Sequence, residues 1–297
     1  MAPTAEETLS TNAAFSNLPD GEWTPETVLS TLPPHSRPQP NTSPLPFMHL
    51  LSRLKTTPRE GWRRFNIHHG ESIADHMYRM SIITLLCPPS LAAKLDLNRC
   101  TRMALVHDMA EALVGDITPV DGVSKSEKSR REAGTMDYLC FSLLGGVAGG
   151  KEQGELISSL WQEYEDSVTP ESHFVHDVDK MELLLQMVEY ERSHEPVGKL
   201  DLGEFTRVAT KIVMPEVQQW AREVLEERRV YWEGVGKVPK GLLSMGESHD
   251  GAEHKEDGVS EERRKQQDQY YGSVNGNGTS GRLNGAGATG IDGKRLA

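Results

Sequence analysis

The sequence predicts an all-α protein with one helical domain, on three observations. Between about residues 45 and 235, apolar residues recur at three- and four-residue spacing, and no run alternates as a strand would. Helix start and stop signals punctuate that block, and no internal repeat divides it into stacked units. The flanks differ in composition. Eight of the 17 prolines fall in residues 1–44, where a disordered, weakly acidic arm is expected. Eleven of the 27 glycines lie from Gly246 onward, so residues 236–297 are expected to form a flexible tail.

The elements follow in order. A first helix is expected over Pro46–Lys55, then a Pro/Gly-punctuated loop, "TTPREGWRRFNIHHG". Ile73, Met77, Met80 and Ile83 at helical spacing give a second over Glu71–Cys87, stopped by Pro88-Pro89. Asn98 is the expected N-cap of a third, which runs to Gly115 as its C′ residue. Ser124 with Glu127 reads as a capping box starting a fourth, which reaches "DYLCFSLLGG". A fifth spans Glu152–Glu165. The sixth starts at Thr169, with Pro170 in its first turn, and runs to Arg192. Two more, Glu204–Val213 and Pro215–Trp232, complete the block.

A net charge of −12 argues against a nucleic-acid polymer or an anionic membrane as partner, while leaving room for a small anionic substrate in a local cationic pocket. Three cysteines without a CxxC pair point to a reducing compartment, cytoplasmic with the nucleus as the alternative. No stretch approaches a membrane span in apolar length, and no basic region followed by an apolar run marks a secretory signal, so neither is expected.

"LVHDMAEALVGDIT", Leu105 to Thr118, carries the chemistry. With His107 at 0° and about 100° per residue, Glu111 falls near about 40° and Asp108 near about 100°, in one polar arc on an otherwise apolar circumference. Burying an imidazole and two carboxylates without partners costs several kcal/mol, a cost that a metal ion or a water-filled pocket removes. A His-Asp dipeptide alone is more often structural. Three further residues shift the balance: His76 beside the Ile73/Met77/Met80 stripe, Asp179 inside the apolar sixth helix, and Asp116 just past the third. Mixed nitrogen and oxygen donors suit a divalent first-row metal or Mg²⁺, with positions left for water and substrate.

One histidine, a His-Asp pair about thirty residues on and a distant aspartate form a pattern that resembles the H…HD…D signature of HD-domain metal-dependent phosphohydrolases. "GWRRFNIHHGESIADHMYRM", "RCTRMALVHDMAEALVGDITP", "SKSEKSRREAGTM", "LWQEYE" and "FVHDVDKMELLLQMVEYE" together resemble the HD-domain-containing protein 2 group, similar to YfbR-type 5′-deoxynucleotidases. The resemblance covers nearly the whole central block and neither flank. It implies an HD-domain helical bundle, commonly a homodimer, that hydrolyses deoxyribonucleoside 5′-monophosphates with a divalent cation (Mn²⁺, Co²⁺ or Mg²⁺).

By position, the resemblance implies His76, His107, Asp108 and Asp179 as metal ligands and Glu111 and Asp116 as catalytic acids. The alternative within the family gives Glu111, Asp116 and the Ile117 carbonyl a second metal. Substrate contacts are implied for Thr118 and Pro119 and for the "REGW" loop, with Arg59, Trp62, Arg63 and Arg64 as candidates; Trp62 would pack on the sugar. His68 and His69 are weaker candidates. His173 and His176 are expected near the surface, and "KSEKSRRE" as a solvated helix face. The rival readings are another HD phosphohydrolase acting on dNTPs, cyclic nucleotides or alarmones, a di-iron oxygenase lacking sufficient histidines here, and a non-catalytic HD binding protein.

Overall fold

A computed structural model describes residues 22–118 and 121–241 of the chain, and every regular element among them is helical. In chain order these are α1 (Pro25–Thr31), α2 (Leu45–Leu51), α3 (Glu60–Arg63), α4 (Ile73–Leu85), α5 (Pro89–Ala92), α6 (Leu97–Val106), α7 (Glu111–Val114), α8 (Lys125–Asp137), α9 (Gly150–Asp166), α10 (Pro170–Ser193) and α11 (Pro215–Val235). A 3₁₀ turn, Ser52–Lys55, extends α2, and a π-helical stretch, Tyr138–Leu143, extends α8. The expected helix at Glu204–Val213 is instead a 3₁₀ segment, Gly203–Lys211.

Capping follows local chemistry. Ser72 and Thr169 make reciprocal capping boxes that open α4 and α10, and Pro170 occupies the first turn of α10. Asp96, two residues before the expected Asn98, caps α6 by accepting from the Arg99 amide. Ser124 caps α8 as expected.

The third helix differs most from expectation. It stops at Val106, and the amides of Met109, Glu111, Ala112 and Leu113 bond back three residues rather than four, through the break and into α7. Three-residue bonding winds the chain more tightly, so the helical wheel fails beyond His107. Leu105, expected in the apolar wall, is 48% exposed. Gly115, at φ +76°, then turns the chain away as a C′ residue.

Two apolar cores result. One gathers around α10 and α11 with Met80, Met103, Phe174 and Leu184; the other holds Ile73, Met77, Val106, Leu113, Leu139 and Trp161. Helices α4 and α6 contribute to both, and the boundary between the cores crosses each next to a histidine: between Met77 and Met80 beside His76, and between Ala104 and Val106 just before His107.

The second core extends further toward the N-terminus than the composition implied. Trp23, Val28 and Leu29 are buried in it, so the expected disordered arm over residues 1–44 is folded from residue 22; residues 1–21 lie outside the described residues. Arg130 donates to the Trp23 carbonyl, and the fully buried Arg131 places its guanidinium 5.8 Å from the Trp23 ring centre. Glu127, Arg131 and Glu132 of "KSEKSRRE" are therefore buried, not a solvated face. Their charges are tolerated because they are paired: Glu127 with Arg130 and Arg131, Glu132 with Lys128. At the other end, Lys240 donates to Asp201, its carbonyl accepts from Arg228, and Gly241 accepts from Thr206, so residues 236–241 are held on the domain rather than in a flexible tail. Residues 242–297 lie outside the described residues.

Candidate metal centre

The centre lies where α4, the end of α6 and α10 meet. His76 of α4 is fully buried; its Nδ1 lies 2.7 Å from Glu182 Oε2, and its Nε2 lies 3.2 Å from Asp179 Oδ1 and 3.8 Å from Asp108 Oδ2. His107 places Nε2 3.2 Å from the same Asp108 oxygen, while its Nδ1 lies 3.0 Å from the Ala104 carbonyl. In each ring one nitrogen is thus committed to an acceptor and the other is turned to the carboxylates. Neither Nε2 has a hydrogen-bond partner, nor has the buried Glu111 Oε2. Buried polar atoms left this way are rare in folded proteins and usually mark a missing ion or water.

A divalent cation fits this donor set. Donor atoms of His76, His107 and Asp108 lie within 4.8 Å of one another, and Asp179 adjoins them through His76. Tyr164 donates its hydroxyl to Asp179 Oδ2 at 3.2 Å, and its ring packs against His107. Three of the four sequence candidates thus share one group of close donor atoms, and the fourth, Asp179, adjoins it through His76. Glu111 and Asp116 are not among the close donor groups of the described residues; the second such group is Glu71, His76 and Glu182. The Ile117 side is buried.

The electrostatics agree. Burial opposes its charge, yet His107, Arg59 and His76 hold Asp108 well below the usual carboxylate range, and His76 and Arg59 do the same for Asp179. Burial and Arg59 push His76 down, but Glu182 and Asp179 outweigh them and raise it to about 10. Glu111 moves the other way: burial first, then the Asp108 and Asp116 charges, push it well above the carboxylate range.

Among the candidate arginines, Arg59 reaches the centre. Its guanidinium lies 3.2 Å from Asp108, 3.8 Å from Asp179 and 4.0 Å from Asp116. Asp116 Oδ2 accepts from the Glu60 amide at 2.8 Å, which docks the Arg59 loop onto the turn that follows α7. Arg63 pairs with Glu60, and Arg64 pairs with Glu204 and lies over Phe65 and Phe205. Trp62 is not at the centre. It is 3% exposed, packed between Tyr190 and Phe205 with its indole N–H on Glu71, so it cannot lie against a sugar. Thr118 is engaged by Asp121 through both amide and hydroxyl, and Pro119 lies outside the described residues.

His68 and His69 are exposed. His173 and His176 are half-buried rather than superficial. His176 stacks on Tyr164 at 3.9 Å and bonds its carbonyl, and burial with the Lys180 charge lowers it to about 4. Asp177, three residues before Lys180, accepts from the Val213 and Met214 amides, which separates it from its neighbour Asp179.

Sequence reasoning missed Glu182, Tyr164 and Arg79. The signal was available for two of them: Glu182 follows Asp179 by three residues and Arg79 follows His76 by three, each a charge one turn along the same apolar face.

An all-helical domain with two histidines and two aspartates gathered across three helices defines an HD protein, and the chain belongs to that family: the HD domain model matches residues 51–221. Among its relatives, the 5′-deoxynucleotidase hdd1 of Schizosaccharomyces pombe is 47% identical over 192 residues, 64% of this chain and 93% of that protein. The Saccharomyces cerevisiae 5′-deoxynucleotidase YGK1 is 40% identical over 211 residues, 71% of this chain and 93% of that protein. The human 5′-deoxynucleotidase HDDC2 is 38% identical over 184 residues, 62% and 85% of the two chains. A solved structure of HD domain-containing protein YGK1 superposes with a TM-score of 0.50 at 32% identity, covering 71% of this chain and all of that one.

Proposed function

We propose that this protein is a metal-dependent 5′-deoxynucleotidase, hydrolysing deoxyribonucleoside 5′-monophosphates to deoxynucleoside and phosphate. One observation carries the reading: two unpartnered imidazole Nε2 atoms and the Asp108 carboxylate converge beside a single arginine guanidinium. The names of the relatives give the substrate class.

His76, His107, Asp108 and Asp179 would hold the cation. When bound, a divalent ion (Mn²⁺, Co²⁺ or Mg²⁺) would supply positive charge for the phosphate and lower the pKa of a water, so that the water can lose a proton before it attacks phosphorus. Arg59 turns its guanidinium to the non-bridging phosphate oxygens, a bidentate match that an ammonium does not offer. Glu111, with a buried carboxylate oxygen that nothing else engages, handles the proton that passes between water and the departing 5′-oxygen. Asp116, fixed by the Glu60 amide, orients Arg59 and the phosphate.

We also propose a homodimer. The exposed Tyr78, Ile82 and Leu85 on α4 and Leu86 at its end, with Leu105 on the neighbouring α6, support it. Among the described residues no helix is long and apolar enough to cross a membrane, and all three cysteines are free, which supports a reducing cytoplasmic setting.

The test is release of phosphate, pyrophosphate or triphosphate from dNMPs, NMPs and dNTPs with each of the three cations. Phosphate from dNMPs alone is expected. Release from dNTPs or NMPs in preference, or activity unaffected by a chelator, would overturn the assignment.

A further inference from the structure

We infer that Glu182 is a positioning residue of the metal centre: its buried carboxylate fixes the ring and tautomer of His76, so that Nε2 is the nitrogen offered to the cation. The inference rests on the metal-centre reading above. Glu182 is fully buried, and its two oxygens are divided between two partners. Oε2 lies 2.7 Å from His76 Nδ1, and Oε1 accepts from Arg79 Nε at 2.8 Å. Arg79 is braced in turn by Glu189 at 2.6 Å and Gln186 at 2.8 Å. All three of those acceptors lie on α10, at successive turns of the side that meets Arg79 of α4.

A buried carboxylate accepts from an N–H and cannot donate to a bare ring nitrogen. In the neutral ring that a cation requires, Glu182 therefore holds the His76 proton on Nδ1 and leaves the lone pair on Nε2. His107 reaches the same tautomer by a weaker route, donating to the neutral Ala104 carbonyl of its own helix. The two histidines are thus unequal: His76 has a charged acceptor that raises its basicity as a ligand, and His107 has a neutral one. Glu71 belongs to the same group of close donor atoms and is tied to the Trp62 indole.

The competing view makes Glu182–Arg79 only a buried ion pair joining α4 to α10. The two views part in one measurement, Mn²⁺ affinity of the full-length protein by calorimetry after chelator treatment. Glu182→Gln keeps an acceptor oxygen but loses the charge, and Glu182→Ala loses both. Affinity is expected to fall about 10-fold in the first and about 100-fold in the second, with helical circular dichroism retained and Glu182→Gln activity recovering as Mn²⁺ is raised. Unchanged Mn²⁺ affinity in a folded Glu182→Gln, even with a lowered melting temperature, overturns the inference in favour of the ion pair. Glu182→Gln also decides the question if the alanine variant does not fold. Failure of the unaltered protein to bind Mn²⁺ would overturn the metal-centre reading instead.

Discussion

His76 and His107 direct their Nε2 atoms at one oxygen of Asp108, from 3.8 and 3.2 Å, with Asp179 Oδ1 3.2 Å from the His76 nitrogen, and neither nitrogen makes a hydrogen bond. They come from antiparallel neighbours, α4 and the end of α6, which are also joined through Thr84 and Thr101. The convergence is a property of helix packing. His107→Ala or Asp108→Ala is therefore expected to lower metal-dependent phosphate release by roughly 1000-fold or more, since a divalent ion contributes several kcal/mol to such a transition state. Helical circular dichroism should stay unchanged. Full activity of either purified variant with metal present would remove the centre from the mechanism.

Arg59 is the arginine placed among Asp108, Asp116 and Asp179. Arg59→Ala is expected to reduce kcat/KM on a dNMP by about 100- to 1000-fold, the usual cost of removing one preorganised donor from a developing anion. Arg59→Lys should recover little, because a point charge does not reproduce a planar fork. Arg63→Ala, by contrast, should leave kcat/KM within a few-fold, as its guanidinium is spent on Glu60. Equal losses at the two positions would contradict the placement.

Trp23 anchors the N-terminal segment against α7 and α8 from a fully buried position. Trp23→Ala is expected to cost about 3 to 5 kcal/mol in urea unfolding at a single cooperative transition. A chain starting at Leu45 should show a comparable loss. Stability unaffected by either change would mean that the segment rests on the domain without supporting it.

His176 gives a pH dependence of defined sign. Burial first, then Lys180, lowers its folded pKa from 6.5 to about 4. Above about pH 6.5 the group is neutral folded or unfolded and contributes nothing. As pH falls from 6.5 toward 4, the unfolded chain takes up a proton that the folded one refuses, and stability is lost. Between pH 7.5 and 4.5 the protein should lose about 2 to 3 kcal/mol more than His176→Phe, which keeps the stacking on Tyr164 but cannot titrate. Parallel pH profiles for the two proteins would assign the acid loss elsewhere.

The centre was legible where burial made polarity costly. Asp108, Glu111 and Asp179 stand out because a carboxylate inside an apolar helix needs a partner; those of the two aspartates proved to be His76, His107 and Arg59, while Glu111 keeps an oxygen that nothing engages. The tightened turn after His107 was not legible, because a helical wheel assumes the very periodicity that three-residue bonding breaks. Nor was the burial of Arg131: a run of charges reads as solvated unless the aromatic that covers it, Trp23, is known to arrive from more than a hundred residues away. Proline-rich composition hid that aromatic in turn, since α1 is seven residues long and too short to show a period. Trp62 was misplaced because a loop aromatic beside arginines looks the same in sequence whether it faces substrate or core.

The boundary between the two apolar cores gives the domain an unusual division of labour. Each half can be altered with little consequence for the other, so losses from truncating Leu184 on one side and Leu139 on the other should sum independently. At the boundary itself that independence ends. Of the four residues proposed as ligands, His76, His107 and Asp108 stand on or at the end of helices that serve both sides and Asp179 on a helix of one side only, so a cation held there would tie one half to the other and its loading would double as mechanical closure of the domain.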